Sequence, residues 1–362
     1  MTGRIVSLPD LPDWIADPAA ANDPTWHLGE ELQTARTDLR KGNALVQTPA
    51  FVVDFILDLT YNPSVEKFRL TGTTLIDPSC GTGNFLTAAF MRLVSGYLAP
   101  LHAYVAEMSG CTLAALARDV LRQIAGVDID PDCIALARHR LTILADQLVG
   151  LPHDDPDRWP IRVACTNSLL DPTEPLLRHG QYRVVVGNPP YITCKDRAIS
   201  DAIRRRYPKV CHRQYSLAVP FEQLMHELAI PGGWVGRITS NSFMKREFGK
   251  KLIEDYFPTV DLQWVIDTSG VYLPGYGTPT VILVSRNRPS TTGTVHTVMG
   301  VRGEPSRPGD PARGLVWTAI VSAVAKRLAR SEVEPFAEST RVVASPIAVP
   351  EQGILDLDGV AS

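Results

Sequence analysis

Short apolar runs alternate with longer amphipathic segments between residues 45 and 290. Most of the runs are rich in β-branched residues and end at polar residues, which is typical of buried parallel strands. Such strands alternating with helices predict a doubly wound, mostly parallel α/β sheet. The predicted strands cover residues 73–76, 124–131, 161–165, 184–187, 234–239, 262–267 and 280–285.

The two ends of the chain have a different pattern. Residues 1–44 are rich in Pro, Asp and Ala and predict an N-terminal arm with one helix over residues 30–40. Residues 45–290 form the predicted main domain. Residues 291–362 predict a partly irregular C-terminal extension with one helix over residues 315–328 and weak periodicity from residue 331.

The first predicted strand leads into the glycine-rich loop Asp77-Pro78-Ser79-Cys80-Gly81-Thr82-Gly83. Glycine allows positive φ and a close approach of the backbone to a ligand. The helix predicted over residues 84–97 would present its free N–H groups at this loop. Because the loop lacks both the Gly-x-Gly-x-x-Gly and the Gly-Lys-Ser/Thr patterns, a nucleoside with a charged, non-phosphate tail fits better than a dinucleotide.

Polar side chains also follow the second and third predicted strands. A carboxylate at the tip of the second strand commonly accepts hydrogen bonds from ribose, and Asp128 has this position. Asp130 precedes Pro131 and is the predicted N-cap of a helix that runs to about residue 146. Two interpretations of Asn167 stay open, because its side chain could contact the adenine ring of the same ligand or cap a turn.

The strand at residues 184–187 must stop at Asn188-Pro189-Pro190-Tyr191, because proline cannot continue a sheet ladder. Pro190 also biases Pro189 away from the helical region, so the turn is stiff and extended. Asn188 offers a side-chain carbonyl, Pro189 a backbone carbonyl and Tyr191 a flat ring face. Two acceptors and a stacking surface suit a planar group with an exocyclic amine. A proline-rich turn with a surface tyrosine is the alternative, which the glycine-rich loop upstream disfavours.

In this order, the Asp-Pro-Ser-Cys-Gly-Thr-Gly, Val-Asp-Ile-Asp and Asn-Pro-Pro-Tyr motifs resemble those of the N6-adenine DNA methyltransferases. The segment from Gln47 to Phe55, with its Thr48-Pro49 helix start, resembles the cofactor-contacting segment of the γ-arranged members. Residues 267–270, 274–283, 302–305 and 314–317 resemble the large methyltransferases of phage-growth-limitation and BREX-type defence systems. The resemblance covers roughly residues 40 to 318 of the chain.

The resemblance implies a class I S-adenosylmethionine-dependent methyltransferase fold and a site-specific adenine N6-methyltransferase of a restriction-modification or phage-defence system. It implies that S-adenosyl-L-methionine is held by Thr48, Pro49, Asp77, Pro78, Ser79, Cys80, Gly81, Gly83, Asp128 and Asn167. It implies that a flipped-out adenine is held by Asn188, Pro189, Pro190 and Tyr191, with Tyr272 or Tyr276 as a second aromatic. Direct methyl transfer needs no cysteine nucleophile.

Three departures from the family pattern qualify these expectations. Asn167 stands where relatives often have Asp, which puts adenine recognition in the cofactor in doubt. No extended target-recognition domain follows residue 290, and the segment after Ala319 stops resembling the family. Two interpretations stay open: a short form that needs a specificity or defence-system partner protein, or a remnant with little activity.

The formal net charge of −3 hides a local basic segment. Residues 195–213 carry seven basic side chains against two acidic ones, directly after the proline turn. Such a run is usually a solvated surface, but here its position favours phosphate contacts with double-stranded DNA. The expected contacts include Lys195, Arg197, Arg204, Arg205 and Arg206.

Composition excludes several other classes of protein. No apolar run reaches the length of about eighteen residues that a membrane helix needs, and the first residues lack a secretion signal. The six cysteines contain no Cys-x-x-Cys pair and the eight histidines are not spaced as metal ligands. The sequence therefore predicts a cytoplasmic enzyme with reduced thiols and no metal site.

Two other functions remain as alternatives. A methyltransferase acting on a protein glutamine amide would use the same turn, because a carboxamide is also planar and carries an NH2. A non-catalytic DNA-binding subunit would only keep the fold. The Thr48-Pro49 segment, the basic run and the late loop favour DNA, and the intact Asn188 turn favours catalysis.

Overall fold

The computed structural model describes residues 12–36, 46–101, 108–152, 155, 157–300 and 302–333. The start of the predicted arm, the end of its predicted helix and the extension beyond residue 333 lie outside the described residues. The chain divides into two compact units. The first comprises Met1–Pro190 and Leu224–Gly236, and the second comprises Tyr191–Gln223 and Arg237–Ser362. The predicted domain boundaries near residues 45 and 290 stay predictions.

The strands form a mostly parallel eight-stranded sheet in the order β3-β2-β1-β4-β5-β7-β6-β8, which confirms the predicted doubly wound α/β fold. The strands are β1 Leu75–Asp77, β2 Ile124–Asp128, β3 Arg162–Cys165, β4 Tyr182–Gly187, β5 Ala229–Ser240, β6 Asp261–Asp267, β7 Thr280–Arg286 and β8 His296–Val298. The α-helices are α1 Trp26–Ala35, α2 Ala50–Phe68, α3 Asn84–Leu98, α4 Gly110–Gln123, α5 Pro131–Val149, α6 Arg197–Arg206, α7 Ala218–Leu228 and α8 Leu315–Val333.

Several predicted boundaries were wrong: β5 begins at Ala229 rather than residue 234, β2 ends at Asp128 rather than residue 131, and α8 ends at Val333 rather than residue 328. Two other boundaries differ for local reasons. The first helix begins at Trp26 rather than residue 30, because Asp23 accepts bonds from the Thr25 N–H and hydroxyl just before it. β1 begins at Leu75 rather than residue 73, because the Thr73 N–H closes the preceding 3-10 turn on Leu70. The predicted stop of β4 before Asn188 and the predicted Asp130 cap of α5 are confirmed.

In the first unit, the parallel strands β1, β2 and β4 are mostly buried, whereas the edge strand β3 is partly exposed. Every residue of β1 and nearly every residue of β4 is buried. Helix α3 packs against β1, β2 and α5, and its Leu86, Phe90 and Leu93 have no exposed surface. Because helices pack against these strands, the loops at the strand ends have rigid supports.

In the second unit, the antiparallel strands β6 and β7 form the centre of the packing. Arg237 of β5 is fully buried and donates to the Glu222 carboxylate (3.0 Å) and the Ser285 hydroxyl (2.7 Å). A buried guanidinium needs partners of this kind, so the three side chains tie β5, α7 and β7 together.

Candidate active site

Four polar turns in the first unit follow four neighbouring parallel strands. Strand register pairs Asp77 with Gly126, Ile76 with Val185, and Asp128 with Cys165. Parallel strands end at a common edge, so the turns after β1, β2, β3 and β4 lie side by side there. This edge holds the glycine-rich loop, Asp128, Asn167 and the start of the Asn188 turn.

The glycine-rich loop is shaped by positive backbone angles. Gly81 has φ of 51° and Gly83 has φ of 91°, and a side chain on Gly83 would lie 3.1 Å from the Ala137 Cβ. The Gly81 N–H donates to Asp128 Oδ2 at 2.8 Å, and the Cys80 N–H donates to the Val127 carbonyl at 3.0 Å. The loop therefore folds back onto the end of β2, with the Cys80 side chain buried beneath it.

The carboxyl groups of Asp77 and Asp128 at this edge accept hydrogen bonds from backbone N–H groups. Asp77 Oδ1 accepts from the Ser79 N–H at 2.9 Å, and Asp128 accepts from the Gly81 and Asp130 N–H groups. Burial raises the pKa of Asp77 to about 8, and the charge of Asp128 adds to the shift. Burial also raises the pKa of Asp128. Both carboxyl groups would be stabilised in their charged form by a positively charged ligand.

The Asn188 turn begins directly against the glycine-rich loop. A side chain on Gly187 would lie 2.9 Å from Asp77 Oδ1 and 3.2 Å from the Ser79 hydroxyl, so only glycine fits without displacing the loop. The Asn188 Nδ2 donates to the Val46 carbonyl at 3.3 Å, which orients the amide. The tetrapeptide starts at the same sheet edge as the loop, within hydrogen-bonding range of the segment before Thr48.

The Thr48-Pro49 segment is also tied to the loop. Pro49 is the N-cap of α2, and the Thr48 carbonyl accepts from Asn84 Nδ2 at 3.1 Å. The Thr82 hydroxyl donates to Gln47 Oε1 at 3.0 Å. The Gln47 Nε2 is buried and has no hydrogen-bond partner among the described residues. An unpartnered buried amide at a loop of this kind is a candidate ligand donor.

Arg140 of α5 is a supporting residue that sequence reasoning missed. It is fully buried and donates to the Thr82 carbonyl (2.8 Å), Asn84 Oδ1 (2.7 Å), Thr25 Oγ1 (3.0 Å) and Asp23 Oδ2 (2.8 Å). One side chain thus joins the glycine-rich loop, α3 and the segment before α1. A single arginine within a helical pattern carries no sequence signal of this role, because its partners are far away in the chain.

The Asn167 side chain caps a turn, as one of the two interpretations expected. Its Oδ1 accepts from the Leu169 N–H at 3.1 Å. The adenine contact stays a prediction. The nearby Ile129 was missed by the sequence reasoning and is 57% exposed between Asp128 and Asp130. An apolar residue between two acids at a strand end is the signal that could have identified it as a surface for a flat ring.

The second unit carries the aromatic candidates. Tyr191 and Tyr276 are partly exposed and their hydroxyls are hydrogen-bonded, and burial with this bond raises the pKa of Tyr191 well above its usual range. The Arg307 guanidinium lies 5.3 Å from the centre of the Tyr272 ring. Tyr272 and Tyr276 share the loop between β6 and β7, so this loop brings Tyr276 to the residue that ends the proline turn.

The basic segment forms α6 and the loop after it. Lys195, Arg197 and Arg205 are exposed. Arg204 has local partners instead, since it donates to Asp201 Oδ1 (2.7 Å) and to the Arg213 carbonyl (2.8 Å). Arg206 lies over the Tyr207 ring at 5.8 Å. The predicted set is therefore a mixture of exposed cations and cations that also hold the segment together.

The first-unit edge fits a cationic nucleoside. It offers two carboxylates, backbone N–H groups at the start of α3, an exposed aliphatic side chain and the unpartnered Gln47 amide. Among the described residues, no cluster of three or more His, Cys, Asp or Glu side chains is placed to hold a metal ion. None of the described helices combines the length and the apolar character needed to cross a bilayer.

Comparison with known proteins identifies similar sequences. The family model described as Eco57I restriction-modification methylase matches residues 122–271. Adenine-specific methyltransferase PglX of Streptomyces coelicolor is 42% identical, over 83% of this chain and 28% of that protein. Type II methyltransferase M.PaeR7I of Pseudomonas aeruginosa is 28% identical, over 82% of this chain and 51% of that protein. The chain spans between 28% and 51% of the length of the four curated relatives it matches.

Solved structures share the fold. The type IIL restriction-modification enzyme MmeI, in complex with DNA, has a TM-score of 0.53 at 15% identity, covering 77% of this chain and 42% of that chain. The type IIG restriction endonuclease BpuSI has a TM-score of 0.54 at 17% identity, covering 89% of this chain and 32% of that chain. These similarities agree with the doubly wound, mostly parallel α/β sheet of the chain.

Proposed function

We propose that this chain, which carries an Eco57I-type restriction-modification methylase domain, methylates the exocyclic N6 of adenine in double-stranded DNA. The observation that carries the proposal is the contact between the glycine-rich loop and the Asn188 turn. The Gly187 backbone lies so close to Asp77 and Ser79 that a Cβ would be 2.9 Å from the carboxylate. A cofactor on one turn and an amine on the other would then meet at one edge of the sheet.

We infer that the cofactor is S-adenosyl-L-methionine. When bound, it supplies a methyl group on a positively charged sulfonium centre. Burial raises the pKa of both Asp77 and Asp128, and a positively charged ligand beside them would favour the ionised carboxylates, which attract a cation more strongly in a partly dry site than in water. Ile129 offers an exposed apolar surface for a flat ring, and Gln47 a buried amide donor. The remaining cofactor residues of the proposal are Thr48, Pro49, Pro78, Ser79, Cys80, Gly81, Gly83 and Asn167.

The target adenine is held by the proline turn in this proposal. A paired adenine must leave the duplex stack, at a cost of a few kcal/mol. Stacking on an aromatic side chain such as Tyr191 returns about 1–3 kcal/mol. The Asn188 and Pro189 carbonyls accept hydrogen bonds from the N6 amine and favour a nitrogen whose lone pair is free of the ring. The residues therefore act by alignment and electrostatics, and the departing amine proton passes to solvent.

The exposed cations of the basic segment are the proposed DNA contacts. Lys195, Arg197 and Arg205 follow Tyr191 closely in the chain, so they can contact phosphates beside the target base. Arg204 and Arg206 support the same segment. We propose that sequence recognition involves a partner or specificity protein within a restriction-modification or phage-defence system. We also propose that the protein acts on this DNA in the cytoplasm.

The direct test is transfer of a radiolabelled methyl group from S-adenosylmethionine. The wild-type chain is incubated with duplex DNA and with extract of its host as a source of partners. We expect radioactivity in the DNA, and digestion of that DNA should identify the labelled base as N6-methyladenine. Counts in protein glutamine would favour the amide methyltransferase instead. DNA binding with no counts in DNA or in protein would favour a non-catalytic subunit. Thr193→Ala, an exposed position beside the turn, is the matched control for the Asn188→Ala variant.

A further inference from the structure

The loop between β6 and β7 and the segment after β8 leave the same edge of the sheet in the second unit. Strands β6 and β8 are parallel, with Trp264 opposite His296 and Ile266 opposite Val298. The segment that follows β6 at residue 268 and the segment that follows β8 at residue 299 therefore begin next to each other. The Glu304 N–H donates to the Gly270 carbonyl at 2.9 Å, which joins the two segments.

The segment after β8 is held in place by bonds that occupy its acidic side chains. The Glu304 carboxylate accepts from the Leu315 and Val316 N–H groups at 2.9 and 3.0 Å, so it caps α8. Asp310 accepts from the Ala312 N–H at 2.9 Å and pairs with Arg313 at 3.5 Å. Both acidic side chains of the segment 302–313, Glu304 and Asp310, are therefore engaged in local hydrogen bonds. The segment is held near its start by Glu304 and near its end by Asp310.

Arg307 has a different environment within this segment. It is exposed, and its guanidinium lies over the Tyr272 ring at 5.3 Å. Among the described residues it has no hydrogen bond or ion pair. A guanidinium stacked on an aromatic face has its conformation restricted while its N–H edge stays available for a bidentate bond to phosphate.

Within the second unit, one loop connects the stack to Tyr191. Tyr272 and Tyr276 lie four residues apart in the loop after β6, and the Tyr276 hydroxyl is hydrogen-bonded to Tyr191. Thr268 and Thr280 close the base of this loop with a hydroxyl–hydroxyl bond of 2.7 Å. The geometry points to Arg307, stacked on Tyr272, as a residue that binds a phosphate of the DNA backbone. This inference rests on the proposed DNA substrate and adds a contact outside the basic segment at residues 195–213.

The test compares variants that remove the same charge at two places. Arg307→Ala loses the stacked cation, whereas Arg313→Ala, an 87% exposed cation with its own acidic partner, is the matched control. Arg307→Lys keeps the charge but loses the planar fork. Duplex DNA binding is measured by fluorescence anisotropy at several KCl concentrations, with thermal unfolding of each variant and methyl transfer by the wild type in parallel.

We expect Arg307→Ala to weaken DNA binding about fivefold to tenfold and to make the salt slope shallower by about 1, as for the loss of one phosphate contact. Arg307→Lys should recover the slope but not the full affinity, and Arg313→Ala should stay within about twofold of wild type. Tyr272→Ala should weaken binding too, and its effect should not add fully to that of Arg307→Ala, since the two groups act as one unit.

Two results would overturn the inference separately from the proposed function. A wild type that binds and methylates DNA, with Arg307→Ala equal to Arg313→Ala in affinity and slope, would refute the role of Arg307 alone. The role of Arg307 would also be refuted if Arg307→Ala lowered both the DNA affinity and the unfolding temperature while Arg307→Lys bound DNA with the full wild-type affinity. A wild type that neither binds nor methylates DNA would refute the proposed function itself.

Discussion

Replacing Asp77 with Asn should remove a pH-dependent cost to folding. Asp77 is only 2% exposed, and burial raises its pKa from an ordinary 3.8 to about 8. The folded chain therefore holds this proton more tightly than the unfolded chain does. Between about pH 4 and pH 8 the unfolded state loses the proton and the folded state keeps it, so stability falls as the pH rises and levels off above pH 8.

The size of the effect follows from the same shift. Each pH unit in this window costs about 1.4 kcal/mol, so a rise from pH 5 to pH 8 should cost the wild type up to about 4 kcal/mol more than Asp77→Asn. The Asn side chain keeps an oxygen that can accept from the Ser79 N–H, so the loop bond at 2.9 Å can persist. The removed carboxyl group is then the main difference between the two proteins.

The assay is urea denaturation of both proteins at pH 5, 6, 7 and 8 without cofactor. The difference in unfolding free energy should shift steadily in favour of Asp77→Asn as the pH rises. Asp119→Asn, at a carboxylate that is 68% exposed, controls for the loss of a negative charge. Parallel pH profiles for wild type and Asp77→Asn would refute the reasoning, because they would mean that Asp77 ionises equally easily in both states.

Three further outcomes are expected. Asn188→Ala should abolish methyl transfer to DNA in the radiolabel assay while S-adenosylmethionine binding, measured by calorimetry, stays within about threefold, since the amide acts on the target base. The double variant Arg197→Ala and Arg205→Ala should weaken DNA binding and flatten its salt slope by up to about 2 in anisotropy titrations, because two exposed cations are lost. Arg140→Met should lower the unfolding free energy by about 3–5 kcal/mol in denaturant titrations, because the buried Asp23 carboxylate loses its cation.

Each of these outcomes has a control and a contradicting result. Joint loss of cofactor binding and activity in Asn188→Ala would contradict its assignment to the base. Arg122→Ala, an exposed cation of the first unit, controls for charge alone, and an unchanged slope in the double variant would retire the basic segment as a DNA contact. A loss below about 1 kcal/mol in Arg140→Met would mean that Asp23 finds other partners or water.

Much of the sheet could be predicted from local patterns. The β-branched run at residues 184–186 and the prolines at 189 and 190 define β4 and its end, because proline cannot donate to a ladder wherever the strand lies. Asp130 before Pro131 defines the start of α5 for an equally local reason. The short β8 was not predicted, because its three residues pair only with β6 and carry no periodicity of their own.

Part of the candidate site could also be predicted from local patterns. The turn residues Asp77, Asp128 and Asn188 follow from strand ends, and the carboxyl edge of a parallel sheet brings such ends together in any fold of this class. The sequence alone also determined the positive backbone angles of Gly81 and Gly83, since few other residues tolerate them.

Only the tertiary structure decided what supports and surrounds these turns. Arg140 reaches Thr82 and Asp23 across 58 and 117 residues, and Arg307 reaches Tyr272 from a separate loop. The raised pKa of Asp77 likewise comes from burial beneath distant segments. Short-range patterns carry information about backbone angles and hydrogen-bond ladders. Partners of buried or stacked charges are selected by packing over long distances in the chain, where those patterns carry none.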